Sequence, residues 1–168
     1  MSDIVSIELL LDSDTESAVR ADWERLADAG LSSLASHRAP SSRPHVTLLV
    51  RSALEPVAFT GAAALLPVPV VLESPVVFRH GDRGVLAWRV APNEHLVRLH
   101  EAVHAAAPAG QDAPHTAPGH WTPHVTLARR LRLVELPVAL GVLGREHTGS
   151  GVALRRWDSA SATVTPLG

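Results

Sequence analysis

The sequence predicts an α+β fold of two pseudo-symmetric lobes, in which mostly antiparallel sheet is flanked by helices around a central cleft. The first observation is a repeat: PHVTL occurs at residues 44–48 and again at 123–127, so its two histidines lie 79 residues apart in a chain of 168. The second is that helical and strand-like segments follow one another in a similar order around each copy, a mixture typical of α+β proteins. We therefore expect one domain over residues 1–168, with lobes of about 1–80 and 81–168 that can exchange strands.

The first half begins with a run of Ile, Val and Leu that is typical of a buried strand. SDTE follows it as a capping-box pattern that begins a helix, and Gly30 ends that helix. HGDRG has the composition of a hairpin turn between two strands. The predicted elements are a strand at 4–12, a helix at 13–30, a loop at 32–43, the first motif strand to residue 51, a weak helix at 54–66, and strands at 68–79 and 84–90.

The second half repeats this order from Asn93, which is a suitable N-cap for a helix with apolar residues on one face. A stretch rich in Pro, Gly and Ala then predicts a mobile loop before the second PHVTL. The predicted elements are a helix beginning after residue 92, a loop at 108–119, the second motif strand to residue 130, a short helix at 134–143, and closing strands at 152–156 and 161–165.

Composition indicates an ordinary globular protein, because 46% of its residues are apolar and 19% are charged. A formal charge of −2 argues against non-specific coating of nucleic acid, which needs a basic face. The chain has no Cys, so a zinc site would need His or carboxylate ligands. The N-terminal apolar run is short and flanked by acids rather than by a basic segment. We expect a cytoplasmic monomer that does not bind membranes.

The repeated motif has a chemical meaning, because residues i and i+2 of a strand point to the same face. His and Thr of each copy therefore project together, while Val and Leu point into the core. If the two lobes pack about a pseudo-twofold axis, two imidazoles and two hydroxyls converge on one cleft. A neutral imidazole can accept a proton and a protonated one can donate, since the pKa of His is about 6.5. With threonine hydroxyls to stabilise developing charge, this set suits a phosphodiester and requires no metal.

These motifs resemble the two-histidine (2H) phosphoesterase superfamily, and specifically the bacterial 2'-5' RNA ligase-like proteins, or RNA 2',3'-cyclic phosphodiesterases. The family signature is a pair of H-x-[ST]-x motifs, which His45-Val46-Thr47-Leu48 and His124-Val125-Thr126-Leu127 match. SIELLLD and SRPHVTL are similar to the family's first lobe. VVFRHGDRGVLAWRVAP, LVRLHEAV and WTPHVTLAR are similar to its second, so the resemblance covers most of the chain.

The resemblance implies that His45 and His124 form an acid/base pair, with His45 as proton donor and His124 as acceptor, and that Thr47 and Thr126 contact the phosphate. The implied reaction hydrolyses a 2',3'-cyclic phosphate or a related cyclic or 2'-5' nucleotide phosphodiester. Its reverse would join RNA through a 2'-5' linkage without ATP. The implied partner is a small nucleotide or an RNA end with a cyclic phosphate, and no cofactor is implied.

Three arginines are candidates for substrate binding. Arg51 and Arg130 each lie six residues after a motif histidine, so an unbroken strand would place both on the histidine face. The alternative for both is a solvated strand end. Arg129 completes the family's L-A-R continuation, but a regular strand would turn it away from the cleft.

The aromatic candidates are Trp88 and Trp121, together with Phe78, since bases stack on aromatic rings. Core packing is the alternative for Trp88 and Phe78. The loops at 32–43 and 108–119 are expected to decide which substrate enters the cleft. A protein that binds a nucleotide or RNA end without turnover is the alternative function, although binding alone does not need two proton carriers.

A rival motif lies on the second predicted helix, where HEAVH at 100–104 matches the H-E-x-x-H pattern of zinc proteases. Helical geometry places His100 at the edge of the apolar stripe and turns His104 toward solvent, and the position of a third metzincin ligand is Gly110. A zinc metallohydrolase using His100 and His104 is therefore a lesser alternative. His115 and His120 could join His124 around a metal, but that would occupy a motif histidine, so we expect no metal site.

Overall fold

The computed structural model describes residues 2–168, which form seven strands and four helices. Short 3₁₀ turns at Leu34–Ser36, Pro114–Thr116 and Leu133–Glu135 lie between them. The strands are β1 Val5–Leu11, β2 His45–Arg51, β3 Val68–His80, β4 Arg83–Val90, β5 His124–Arg132, β6 His147–Asp158 and β7 Thr163–Leu167. The helices are α1 Ser13–Asp28, α2 Thr60–Ala63, α3 Glu94–Ala106 and α4 Leu136–Val142.

The strands form one antiparallel sheet in the order β1-β2-β5-β4-β3-β6-β7, and β6 pairs with β1 as well. Strand β6 is long enough for both neighbours: residues 147–151 lie along β3, and residues 151–158 lie along β1. This confirms the predicted α+β class with a mostly antiparallel sheet. The division into two lobes stays a prediction, and β6, which lies in the predicted second lobe, pairs with β1 of the first.

The two motif strands meet at Val46, which lies opposite Val125. These are equivalent residues of the two PHVTL copies, so the strands are related by a local twofold arrangement. Each motif strand also has a β-bulge directly after its threonine, with Leu48 as the extra residue opposite β1 and Leu127 as the extra residue opposite β4. A bulge bends a strand and increases its twist. The repeat in sequence thus corresponds to a repeat in backbone geometry.

The apolar residues of both motifs are fully buried, as the sequence predicts. They share one core with the apolar faces of the two long helices, in which α1 contacts β5 and β6 while α3 contacts β2 and β3. None of the helices formed by residues 2–168 has the length and apolar character that a membrane crossing requires. Because α1 and α3 pack on the buried face of the motif strands, the opposite face is the one that carries the His and Thr side chains. The buried residues that join motifs and helices include Val19, Trp23, Leu26, Val46, Leu48, Leu96, Leu99, Val103, Val125 and Leu127.

Both long helices begin and end close to the predicted residues. Asn93 caps α3 by accepting a hydrogen bond from the backbone N–H of Leu96. The cap of α1 is Asp12, whose carboxylate binds the N–H of Thr15, rather than a residue of the SDTE box itself. Gly30 has a φ of 74° just beyond α1, the left-handed conformation that glycine adopts at helix ends.

Two regions differ from their predictions. The weak helix expected at 54–66 is a single turn, α2, because its apolar side chains Leu54 and Phe59 enter the core from irregular backbone. The loop at 108–119, expected to be mobile, is anchored: the N–H of Ala113 donates to the carbonyl of Val50, and Thr116 binds the N–H of the same residue. Strand β6 also begins five residues earlier than expected, because pairing with β3 extends it.

Candidate active site

The structure brings the four predicted polar side chains of the motifs together. His45 and Thr47 share one face of β2, and His124 and Thr126 share one face of β5. Because Val46 lies opposite Val125 in an antiparallel pair, each motif histidine faces the threonine of the other copy. All four side chains are half-buried, whereas the Val and Leu between them are fully buried. The arrangement places two imidazoles and two hydroxyls on one face of the paired strands.

Both imidazoles are held through the same ring nitrogen. Nδ1 of His45 lies 2.7 Å from the carbonyl oxygen of Arg43, and Nδ1 of His124 lies 2.7 Å from that of Thr122. A carbonyl only accepts hydrogen bonds, so each Nδ1 must carry a hydrogen. Nε2 is therefore the nitrogen of each ring that can exchange a proton with a substrate.

Two tryptophans hold the motif backbones in a matched way that the sequence analysis missed. The indole Nε1 of Trp121 donates to the carbonyl of Thr47 at 2.9 Å, and that of Trp23 donates to the carbonyl of Thr126 at 3.1 Å. Because β2 and β5 pair at one residue pair only, these carbonyls depend on side chains for a partner. Each tryptophan supports the motif of the opposite half of the chain.

The surroundings of His45 are polar. Oε2 of Glu8 lies 3.4 Å from its Nε2, and the other oxygen of that carboxylate forms an ion pair with Arg155 at 2.8 Å. Glu8 is on β1 directly opposite Thr47, which places it on the same face of the sheet. Glu8 is not among the site residues predicted from the sequence, although an acid within the apolar run IELLL is a signal, since buried acids are rare unless paired.

His124 differs from His45 in contacting an aromatic ring. The ring of Phe78 packs against its imidazole, with ring centroids 4.7 Å apart. Burial lowers the pKa of His124, and the nearby His115 and His45 lower it further against the opposing effect of the Thr122 carbonyl. His124 is thus held in its neutral form at a pH where an ordinary histidine begins to protonate.

Arg51 does not lie on the histidine face. The bulge at Leu48 reverses the alternation of side chains, so Arg51 points to the buried side of β2. There its guanidinium forms an ion pair with Asp112 at 2.8 Å and donates to the carbonyl of Pro108. Arg51 therefore anchors the 108–119 loop. Its predicted role in substrate binding is wrong, because the bulge turns its side chain away from the histidine face.

Arg129 and Arg130 are both exposed at the solvent side of β5. A second register shift lies opposite Val85, so Ala128 and Leu131 are both buried and the two arginines between them both face out. The expectation that a regular strand points Arg129 and Arg130 to opposite faces is thus wrong. Their binding of substrate stays a prediction.

The two tryptophans predicted to stack on a base are both engaged elsewhere. Trp88 is only 3% exposed and donates to the Asp22 carboxylate, so it cannot offer a ring face to a ligand. Trp121 is half-buried, and the ring of His100 stacks on one of its faces at a centroid distance of 4.0 Å. Trp88 is therefore a core residue, and Trp121 supports the first motif.

Arg89 is a further cation near the motifs that the sequence analysis did not single out. It lies directly opposite His124 in the pairing of β4 with β5, so the two share a face. Its guanidinium binds the carboxylate of Glu73 at 2.7 Å, and both side chains are partly exposed. Periodicity cannot find such a residue, because it depends on the register between two strands.

The HEAVH histidines face the protein interior rather than a metal. Nε2 of His100 donates to the carbonyl of Thr116, and Nε2 of His104 donates to that of Leu48. The expectation that His104 turns to solvent is wrong, since 8% of its side chain is exposed and Asp112 lies 3.4 Å from its Nδ1. The pKa of His100 is lowered to about 4, mainly by burial and secondly by the charge of the neighbouring His104. Among residues 2–168, no three His, Asp or Glu side chains are grouped so that they could hold a metal ion.

Comparison with known proteins agrees with this geometry. A sequence model of the 2'-5' RNA ligase superfamily matches residues 15–167. No functionally curated protein matches the chain. Among solved structures, Usb1 of Kluyveromyces marxianus is 18% identical with a TM-score of 0.51, and its structure with uridine monophosphate gives 18% and 0.50. Each comparison covers 99% of both chains, and at this identity the likeness concerns the fold. With the family match spanning nearly its whole length, the chain belongs to the 2'-5' RNA ligase superfamily of two-histidine phosphoesterases.

Proposed function

We propose that the chain is a metal-independent phosphodiesterase that hydrolyses a 2',3'-cyclic phosphate, or a related cyclic or 2'-5' nucleotide phosphodiester. The observation that carries the proposal is the pairing of the two motifs at Val46 and Val125, which gathers two imidazoles and two hydroxyls on one face. Each imidazole has its Nδ1 bound to a carbonyl and its Nε2 available. Two proton carriers on one face suit a displacement at phosphorus in which one group gains a proton and another loses one.

The two histidines take different roles because their neighbours differ. His124 is the base: burial favours its neutral form, which accepts the proton of the attacking water at Nε2. His45 is the acid, which protonates the oxygen that leaves phosphorus. Thr47 and Thr126 donate hydrogen bonds to the non-bridging oxygens, where charge increases in the transition state. Run backward, the same steps join two RNA ends through a 2'-5' linkage.

The proposed substrate is a small nucleotide or an RNA end. The family match supports phosphodiester chemistry, and the structural neighbour Usb1 has been solved with uridine monophosphate, which supports a nucleotide ligand. The exposed Arg129 and Arg130 and the partly exposed Arg89 are the cations proposed to attract the phosphate backbone. With Trp88 buried and Trp121 stacked on His100, we do not assign a base-stacking platform to either.

The test is hydrolysis of nucleoside 2',3'-cyclic phosphates in the presence of EDTA, with product identified as the 2'- or 3'-phosphate. We expect turnover by the wild-type protein and losses of about 10²–10⁴-fold in His45→Ala and His124→Ala, the range for positioned acids and bases. His95→Ala, on an exposed part of α3, is the matched control and should leave the rate unchanged.

Three results would count against the proposal. Turnover that survives both motif substitutions would exclude two-histidine catalysis. Activity that EDTA abolishes and zinc restores would point to a metallohydrolase instead. Tight nucleotide binding with no turnover of any ester would favour the alternative of a nucleotide or RNA-end binding protein.

A further inference from the structure

A buried polar network surrounds His45 and involves both of its ring nitrogens. Oε2 of Glu8 lies 3.4 Å from Nε2 and accepts a hydrogen bond from the Ser6 hydroxyl at 2.8 Å. Oε1 of the same carboxylate binds Nε of Arg155, whose Nη2 also donates to the carbonyl of Ser41 at 2.8 Å. Ser41 is two residues before Arg43, whose carbonyl binds Nδ1 of His45. Ser6, Glu8 and Arg155 are each at least 95% buried.

Among residues 2–168, no carboxylate lies within ion-pair distance of His124, as Glu8 does of His45. Glu8 lies opposite Thr47, and the residue in the equivalent place opposite Thr126 is Ala87, which is buried and apolar. The ring that contacts His124 is Phe78. Two motifs with the same sequence and the same backbone geometry therefore have different charged neighbours: a carboxylate lies 3.4 Å from Nε2 of His45, and the cation Arg89, paired with Glu73, lies opposite His124.

We propose that Glu8, held by Arg155 and Ser6, is a positioning residue that assigns the acid role to His45. This inference rests on the proposed function. Nδ1 of His45 already carries a hydrogen bound to Arg43, so a favourable contact between Nε2 and a carboxylate requires a second hydrogen on Nε2. When Nε2 carries the hydrogen that an acid donates, that N–H and the Glu8 carboxylate attract each other, so Glu8 holds the donating form of His45 in place. Without such a partner, His124 remains the neutral acceptor.

The chemistry balances without proton transfer to Glu8. A water oxygen bonds to phosphorus while its proton passes to Nε2 of His124. The bond from phosphorus to the leaving 3'-oxygen breaks, and that oxygen takes the proton from Nε2 of His45. Both oxygens of Glu8 already accept hydrogen bonds, and 3.4 Å is longer than a normal hydrogen bond, so the proton stays available to the substrate.

The test compares two esters that differ in their need for an acid. A nucleoside 2',3'-cyclic phosphate expels an alkoxide, which must be protonated. In a 3'-deoxynucleoside 2'-(4-nitrophenyl phosphate), 4-nitrophenolate takes the place of the 3'-oxygen and leaves as a stable anion. We expect Glu8→Gln to lose about 10- to 100-fold on the cyclic phosphate, a part of the 10²–10⁴-fold that a positioned acid contributes, and to stay within about threefold on the aryl ester.

Two comparisons separate positioning from simple damage to the fold. His45→Ala should show the same preference for the aryl ester, whereas His124→Ala should lose both activities. Removing one partner of a buried ion pair destabilises a protein, so the double variant Glu8→Gln/Arg155→Met removes both charges together, and its thermal melt reports folding. Glu94→Gln, in an exposed ion pair on α3, is the charge-matched control.

The outcomes are distinct. The inference is supported if the folded single or double variant loses the cyclic phosphate and keeps the aryl ester. It is overturned if a folded variant hydrolyses the cyclic phosphate as the wild type does, or if both esters slow equally. If the wild-type protein hydrolyses neither ester, the proposed function itself fails, and the role of Glu8 fails with it.

Discussion

At the scale of single residues, the two motif histidines are chemically alike and electrostatically different. Each binds a carbonyl two residues earlier in the chain through Nδ1. His45 contacts a carboxylate, and His124 contacts the phenyl ring of Phe78. Proteins separate acid from base roles by giving identical groups unlike environments. The environment of His124 therefore leads to a prediction about pH.

Activity should persist in acid further than an ordinary histidine base would allow. Burial lowers the pKa of His124, so its neutral form survives below about pH 6.5 and is lost only as the pH falls through the lowered value. Phe78→Ala admits water to the ring, raises the pKa of His124, and should move the acid limb of kcat/KM to higher pH. Phe78→Leu keeps the site apolar and should leave the limb in place. An acid limb that stays where it is in Phe78→Ala would contradict this account.

At the scale of elements, the motif strands are held by partners from elsewhere in the chain. Trp23 on α1 supports the second motif, and Trp121, just before β5, supports the first. The bulges at Leu48 and Leu127 turn each strand away from regular alternation directly after the threonine. Indole hydrogen bonds therefore complete a backbone that the sheet ladder leaves incomplete at the junction of the lobes.

Removing either indole hydrogen bond should weaken both stability and turnover. Trp23→Phe and Trp121→Phe each leave a threonine carbonyl without its donor, at an expected cost of about 1–3 kcal/mol in the free energy of unfolding. Urea unfolding measures that cost, and kcat on a cyclic phosphate should fall in both variants. Trp88→Phe, which removes an indole bond to Asp22 instead, should lower stability with little change in kcat. Equal kcat values in all three variants would argue against positioning by Trp23 and Trp121.

The packing of α3 against the 108–119 loop should make stability depend on pH. The pKa of His100 is lowered to about 4, so the unfolded chain binds a proton below about pH 6.5 while the folded protein does not. The free energy of unfolding should therefore decrease as the pH falls from about 6.5 to 4, by up to about 3 kcal/mol from this group. His100→Gln keeps a donor for the Thr116 carbonyl and does not titrate. Urea unfolding across this range should show a weaker pH dependence in the variant, and identical slopes would contradict the assignment.

At the scale of the whole molecule, β6 connects the two lobes. Its first residues pair with β3 and the remainder with β1, and the N–H of Ser150 donates to the Asp12 carboxylate that caps α1. Gly149 lies at this crossing. A Cβ there would stand 1.8 Å from Oγ1 of Thr15 and 2.6 Å from Oδ2 of Asp12, far inside contact distance.

Gly149→Ala should therefore destabilise the whole domain. The cap of α1 and the start of β6 cannot both keep their positions, and overpacking of this kind costs about 1–3 kcal/mol. Gly141→Ala is the matched control, because a Cβ on that helical glycine meets nothing within 4 Å and should be neutral or stabilising. Thermal melting of both variants measures the difference. Equal melting temperatures would mean that the cap and β6 shift apart freely.

Much of this protein can be predicted from the sequence, because its fold depends on local patterns. The apolar stripes of α1 and α3 and the buried Val and Leu of both motifs follow from periodicity. The joint placement of two His and two Thr follows from strand alternation and the repeat. The errors lie where strand alternation was assumed to continue past a bulge. Arg51 is the example, because the bulge at Leu48 turns it to the buried side. For Trp88 the sequence offered both core packing and base stacking, and its register in the sheet decided for the core.

The sequence by itself determined the α+β class, the duplicated motif and the residue types of its chemistry, since these depend on spacing along one chain. Tertiary structure alone decided which histidine lies beside a carboxylate and which beside a phenyl ring, because Glu8, Arg155 and Phe78 reach the motifs through strand pairing. It also decided that two tryptophans support the motifs and that HEAVH faces carbonyls instead of a metal. The physical reason is that electrostatic environment and register arise from contacts between segments distant in sequence, which periodicity does not encode.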